Sequence, residues 1–254
     1  MIPEAINNLT KLQQLWLTDL ELAQLDLSLF NNLPLQQFYI NRMPVNLTAS
    51  EMVSLESLEV LHIVDCNLTE LDLSRWNSPV LRSLVLERNT LTSFPVGLKK
   101  FRTLTSINIG YNRLESLDFS LFKGLDHLEH LFLSHNHILR LIVAESILLS
   151  SLTSISLAHN RLMDVDQLMQ LNLPALERLD LTGNNLERFE GLEQHSNSSL
   201  TNVWFEENPI NCSWAMKFKS GQTKLNWLNQ IRKLCPWIPF YKRFNQLDGV
   251  LNVK

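Results

Sequence analysis

Apolar and polar residues along this chain follow one frame: Leu or another large apolar residue fills positions 1, 4, 6 and 11, and Asn fills position 9. The clearest copies are Leu81-Arg82-Ser83-Leu84-Val85-Leu86-Glu87-Arg88-Asn89-Thr90-Leu91 and Leu176-Glu177-Arg178-Leu179-Asp180-Leu181-Thr182-Gly183-Asn184-Asn185-Leu186. Position 9 holds Leu20, Met43, Cys66, Asn89, Asn112, Asn136, Asn160, Asn184 and Asn208, spaced by 23 residues four times and then by 24 four times. A step this regular marks a stacked array. Apolar positions 4 and 6 alternate with polar positions 3, 5 and 7, the period-2 pattern of a short strand with one buried face. The Asn lets the chain turn inward, and its amide satisfies backbone groups that the turn leaves open. Identical coils stacked about 4.8 Å apart then bury Leu that no coil buries alone.

The return half of each coil carries a second apolar set that includes Phe30, Leu33, Trp76, Phe94, Leu98, Phe101, Phe119, Phe122 and Leu125. Three related phrases recur there, Leu-Asp-Leu-Ser-Leu-Phe, Leu-Asp-Leu-Ser-Arg-Trp and Leu-Asp-Phe-Ser-Leu-Phe. They predict short helical or irregular turns on the convex side, with their aromatics in the core. The whole pattern resembles the leucine-rich repeat over roughly residues 1–212. That resemblance implies an α/β solenoid, a horseshoe with a parallel concave sheet of about nine strands and a short C-terminal helical cap. The polar ladder should begin only at the third coil, because Leu20 and Met43 replace Asn in the first two; Cys66 there reads as a buried, inert thiol. The first coils are the expected weak end, prone to fraying or self-association.

After Asn208 the frame breaks. Leu225, Leu228, Ile231 and Leu234 fall on one face of an expected helix over 223–234, with Trp227 beside them. Cys212 and Cys235 bracket this segment, and a bridge between them is expected to hold it over the last coil, contributing about 3 kcal/mol. The arrangement resembles the cysteine-flanked cap of extracellular leucine-rich-repeat proteins, with two of the usual four cysteines present. The expected organisation is repeats over 1–211, a cap over 212–235 and a tail over 236–254. Asn208-Pro209-Ile210-Asn211-Cys212-Ser213-Trp214 and the short cap are similar to the mosquito leucine-rich immune proteins, a resemblance that implies a secreted factor of innate immunity.

Strand alternation turns positions 5 and 8 of each coil away from the Leu core. Position 5 reads Trp16, Tyr39, His62, Val85, Asn108, Phe132, Ser156, Asp180 and Trp204. Exposed aromatics anchor protein contacts, so the expected binding surface centres on Trp16, Tyr39, Arg42 and His62, with Phe132, His135 and Trp204 as a second patch. Position 8 holds Asp19, Arg42, Asp65 and Arg88 in the first four coils, an expected ladder of alternating charge. His135 and His159 share that column further on and read as two solvated imidazoles, with a metal or pH-sensing pair as the sharper alternative.

Composition narrows the function. With 45% hydrophobic and 19% charged residues the chain folds, and with only 7 Gly it has no glycine-rich loop to cradle a nucleotide. A formal charge of −4 offers no field for nucleic acid, and no apolar run is long enough for a membrane span. There is no catalytic motif, so no enzyme, metal or cofactor is expected. The expected function is protein binding, with a protein or microbial-surface ligand on the concave face and a homo- or hetero-oligomer as a further expectation. The alternative is an intracellular scaffold or adaptor. Met1-Ile2-Pro3-Glu4 lacks the order of a signal peptide, and Ile2, Ala5, Ile6 and Leu9 read as the return half of a preceding coil. A partial chain of a secreted protein is therefore expected, with a cytoplasmic chain as the alternative. Candidate glycosylation sites are Asn8, Asn46, Asn67, Asn197 and Asn211.

Overall fold

The computed structural model describes residues 6, 8–144, 147–188, 199–215, 233 and 235. Its centre is a nine-stranded parallel sheet in which every strand pairs with the next coil in sequence order. The register follows the sequence frame: Trp16 lies opposite Tyr39, Tyr39 opposite His62, His62 opposite Val85, and so on to Asp180 opposite Trp204. Positions 4 and 6 point inward and are buried, as at Leu61, Ile63, Leu84, Leu86, Leu131 and Leu133. The strands of the first three coils, Gln14–Thr18, Gln37–Asn41 and Val60–Val64, are five residues long. Those of the later coils, such as Ser83–Val85 and Arg178–Asp180, are three.

The return halves form 3-10 turns at Leu27–Phe30, Leu98–Lys100, Phe119–Phe122 and Asp166–Gln170. The recurring Asp-X-Ser phrase explains three of the local turns. Asp26, Asp72 and Asp118 each accept from the backbone N–H two residues on, at 2.9, 2.7 and 2.8 Å, as a helix N-cap does. Phe30, Trp76, Phe94, Phe101, Phe119 and Phe122 are all buried, as their repeat-fixed positions require. Short parallel pairs on the flank, Gln24–Asp26 with Asn46–Thr48 and Ser116–Asp118 with Arg140–Ile142, add a second, discontinuous set of inter-coil links.

Asn at position 9 works as a rung between coils. Asn112 Nδ2 donates to Leu86 C=O of the preceding coil at 2.9 Å and to Ile109 and Gly110 of its own, while its Oδ1 accepts from Leu91 N–H at 2.9 Å. Asn89, Asn136, Asn160, Asn184 and Asn208 make the corresponding links, with Oδ1 accepting from Leu68, Leu114, Ile138, Leu162 and Leu186. Leu20 and Met43 have no amide to offer. Cys66 is a buried free thiol that donates weakly to Ile40 and Val64 C=O at 3.4 and 3.3 Å. Burial pushes this thiol's pKa up, keeping it protonated and inert.

At the far end, Cys212 and Cys235 are joined by a disulfide with their Cα atoms 5.8 Å apart, and Cys235 is buried. A four-residue helix, Cys212–Ala215, begins this segment. Of the helix expected over 223–234 only Lys233 is among the described residues, and the tail over 236–254 and the sequon at Asn197 lie outside them.

Candidate functional site

Position 5 places its aromatics on the open concave face. Trp16 is 59% exposed and stacks flat on Tyr39, ring centroids 3.7 Å apart and planes 9° from parallel. Tyr39 meets His62 edge-on at 4.8 Å, and its hydroxyl donates to Gln37 Oε1 at 3.0 Å. Three consecutive coils thus share one continuous aromatic cluster, held by five-residue strands on either side. Burial lowers the His62 pKa, so the imidazole in this cluster is held in its neutral form.

Beside the cluster, Arg42 grips Asp19 with two bonds, Nε to Oδ1 at 2.9 Å and Nη2 to Oδ2 at 2.6 Å. The hydrogen bond from Arg42 holds the Asp19 carboxyl below its usual range. The expected charge ladder stops there. Arg88 instead lies over the Tyr111 ring at 4.7 Å, with Glu87 at 3.6 Å.

His135 and His159 are not two separate solvated rings. Tyr111 stacks on His135 at 4.1 Å and His135 on His159 at 4.4 Å, so the column reads Arg88, Tyr111, His135, His159 in one stack. Burial, then the neighbouring His159 and Arg88, lowers the His135 pKa. Gly183 completes the arrangement. A Cβ there would lie 2.5 Å from His159 Nδ1, so the ring occupies the space that a side chain would need. Tyr111 and Gly183 hold position 8 of the coils that flank the two imidazoles. The column owes its geometry to the turn: Asp19, Arg42, Asp65, Arg88, Tyr111, His135, His159 and Glu207 all have φ between 50° and 58°. Such left-handed residues cost energy in an L-chain. Here the turn is pinned by the next coil, as where Tyr111 N–H donates to Ser134 C=O and His135 N–H to Ala158 C=O, both at 2.9 Å.

The second expected patch does not come together. Phe132 sits against His130 at 5.9 Å, while Trp204, 38% exposed, is three strands away with Ser156 and Asp180 between them. His135 belongs to the position-8 stack instead. Sequence reasoning also missed a cleft of about 590 Å³ on the flank between the second and third coils, lined by Val45, Leu47, Cys66, Leu68, Leu71 and Trp76 among others. It lies beside Cys66, which holds position 9 of the third coil where later coils hold Asn. Of the sequons, Asn8, Asn46, Asn67 and Asn211 are exposed. Among the described residues no three His, Cys, Asp or Glu side chains gather as a metal site, and no helix is long and apolar enough to cross a membrane.

Residues 102–162 match the family model described as leucine rich repeat, and residues 150–194 match leucine rich repeats in two copies. The chain is a leucine-rich-repeat solenoid. A leucine-rich-repeat protein of Leptospira interrogans is similar at a TM-score of 0.60 and 24% identity, over 92% of this chain and 61% of that one. The leucine-rich repeat domain of mosquito APL1B is similar at a TM-score of 0.63 and 22% identity, over 83% of this chain and 59% of that one. A structure of the mosquito LRIM1/APL1C complex is similar at 0.56 and 22%, over 83% of this chain and 41% of that one. At these identities the likeness establishes the fold, and the chain spans about three fifths or less of each structure's length. No curated protein matches the chain in sequence.

Proposed function

We propose that this leucine-rich-repeat chain is a non-catalytic extracellular recognition module of innate immunity. It takes a protein or microbial-surface ligand on the concave face of its first three coils. The observation that carries the reading is the Trp16–Tyr39–His62 cluster, exposed at Trp16, beside the Asp19–Arg42 pair. A broad aromatic surface gives contact area, and the ion pair beside it gives orientation. Phe132 and Trp204 are separate, smaller contact points along the same face.

Three supports favour the extracellular setting over an intracellular adaptor. Disulfides such as Cys212–Cys235 persist in oxidising compartments. Four exposed sequons are open to glycosylation, and the fold is shared with mosquito immune proteins, two of which form a complex with each other. The test is to capture a partner from extracellular fluid with the wild-type chain and then titrate it against Trp16→Ala, Tyr39→Ala and the double variant. A loss of about 2 kcal/mol or more is expected for the double variant. Unchanged affinity in a folded double variant moves the site elsewhere. Chain recovered from its natural source with both cysteines reduced would favour the intracellular alternative.

A further inference from the structure

The flank strand Asn46–Thr48 pairs on one side only, with Gln24–Asp26 of the first coil. Asn46 N–H donates to Ala23 C=O at 3.1 Å, so Asn46 and Thr48 turn their main-chain groups toward the first coil. Alternation leaves Leu47 N–H and C=O on the other edge, facing the third coil. From the third coil to the eighth, that side is sealed by a bond from position 10 of one coil to position 11 of the coil before. Thr90 N–H donates to Leu68 C=O at 2.8 Å, and Arg113, His137, Arg161 and Asn185 repeat the bond to Leu91, Leu114, Ile138 and Leu162. Between the second and third coils the seal is absent. Asn67 takes left-handed backbone, φ 57°, and its N–H does not pair with Val45 C=O. Val45 N–H also has no partner among the described residues. Val45 and Leu47 thus offer two donors and two acceptors at every second residue, the pattern of an open sheet edge. They do so along the flank cleft of about 590 Å³, whose lining includes the buried Leu68, Leu71 and Trp76. Glu70 stands exposed on its third-coil wall with no ion pair among the described residues.

We propose that this cleft binds a short extended peptide that carries a lysine or arginine. A strand presents its own donors and acceptors at every second residue, so it matches Val45 and Leu47 group for group, and this main-chain pairing supplies the affinity. An apolar small molecule would cover the same four groups and leave them unpaired, which costs free energy. Side chains of the bound strand alternate. One set reaches the apolar lining at Leu68, Leu71 and Trp76, and the other points outward, where Glu70 meets the cation. Directly paired segments close the cleft at both ends. On the concave side Gln37–Asn41 pairs with Val60–Val64, and on the convex side Val53–Ser54 pairs with Trp76–Asn77. The paired stretch is therefore only a few residues long. The cleft lies on the flank, so the inference stands whatever ligand the concave face takes.

The probe is a display library of random linear heptapeptides, selected on the full chain made without N-glycans, because the sequons at Asn46 and Asn67 lie on the two walls. Selected peptides are expected to carry a basic residue. N-methylation of one peptide amide at a time is expected to weaken binding about tenfold at every second position and little in between. Leu47→Pro removes the donor that faces the cleft and keeps the ladder bonds of Asn46 and Thr48, as proline at a sheet edge can. It is expected to weaken binding about tenfold, whereas Trp16→Ala leaves it unchanged. Glu70→Gln is expected to weaken it by about threefold. Should the proline variant not fold, amide NMR shifts of the wild type locate the peptide, with the largest changes expected at Val45, Leu47 and Glu70. A library that yields no binder overturns the proposal. So do methylation losses that do not alternate, and so do peptides whose largest shifts fall at Trp16 and Tyr39.

Discussion

The first three coils and the last six are built on the same frame and hold together by different means. From Asn89 onward each coil reaches back through a buried amide that donates to a carbonyl of its predecessor and accepts from the N–H at position 11 of that coil, as Asn136 does with Ile109 and Leu114. Before Asn89 that device is missing. The first coils rely on longer strands, on a face-to-face aromatic stack and on an exposed ion pair. In the later coils the central concave position holds small and polar residues at Asn108, Ser156 and Asp180 and isolated aromatics at Phe132 and Trp204. Where the ladder is absent, cohesion moves to the surface, and the residues that supply it are large, aromatic and accessible. The candidate recognition surface and the coils without Asn rungs thus occur in the same place.

The comparison can be broken most severely by carrying the first coil's residue into the ladder. Asn136→Leu leaves the Ile109 and Leu133 carbonyls and the Leu114 N–H without their buried partner. A cost of about 3 kcal/mol or more is expected in a denaturant titration. A cost near zero would mean that the amide is not what ties the later coils together.

The reverse substitution sharpens the contrast with a smaller effect. Cys66 Sγ already points at Ile40 C=O across the gap, 3.4 Å away. Cys66→Asn would supply a stronger donor there and an oxygen for Val45 N–H, completing one more rung. The expected gain is about 1 kcal/mol, with a narrower cleft between the second and third coils. Destabilisation would show that the cleft has a cause other than the missing amide.

The smallest expected effect depends on pH. Asp26 joins the first two coils by accepting from Ser28 N–H and Oγ and from Ser50 N–H at 2.9, 2.6 and 3.2 Å. Partial burial pushes its carboxyl up, but these hydrogen bonds outweigh that and hold it at about 2, against 3.8 when unfolded. The unfolded chain therefore binds the proton more readily, so the contribution of Asp26 is complete above about pH 4 and is lost as the pH falls toward 2. The Asn rungs do not titrate. Acid should loosen the first two coils before the later ones, and Asp26→Asn should flatten this part of the stability profile.

Much of this was legible in the sequence. The period of position 9 gave the number of concave strands, their register and the inward or outward sense of each side chain. The buried fate of Phe30, Phe119 and Phe122 followed from their fixed place in the return phrase. The alternating charge column holds at Asp19–Arg42 and does not extend to Arg88, which lies over the Tyr111 ring of the next coil. Two neighbouring imidazoles became a longer stack because left-handed turns project every position-8 side chain the same way. The cleft had no signature of its own in the repeat frame.

Amide hydrogen exchange at position 11 is the most direct test of the ladder. Leu68, Leu91, Leu114, Ile138, Leu162 and Leu186 each donate to a buried Asn oxygen. Val45 holds the same place in the second coil and is buried, with Cys66 where that Asn would stand. Val45 N–H is expected to exchange about tenfold or more faster than those of Leu91 and Leu114 under native conditions. Equal protection at Val45 and Leu114 would contradict the claim that the Asn ladder divides the molecule into two differently bound regions.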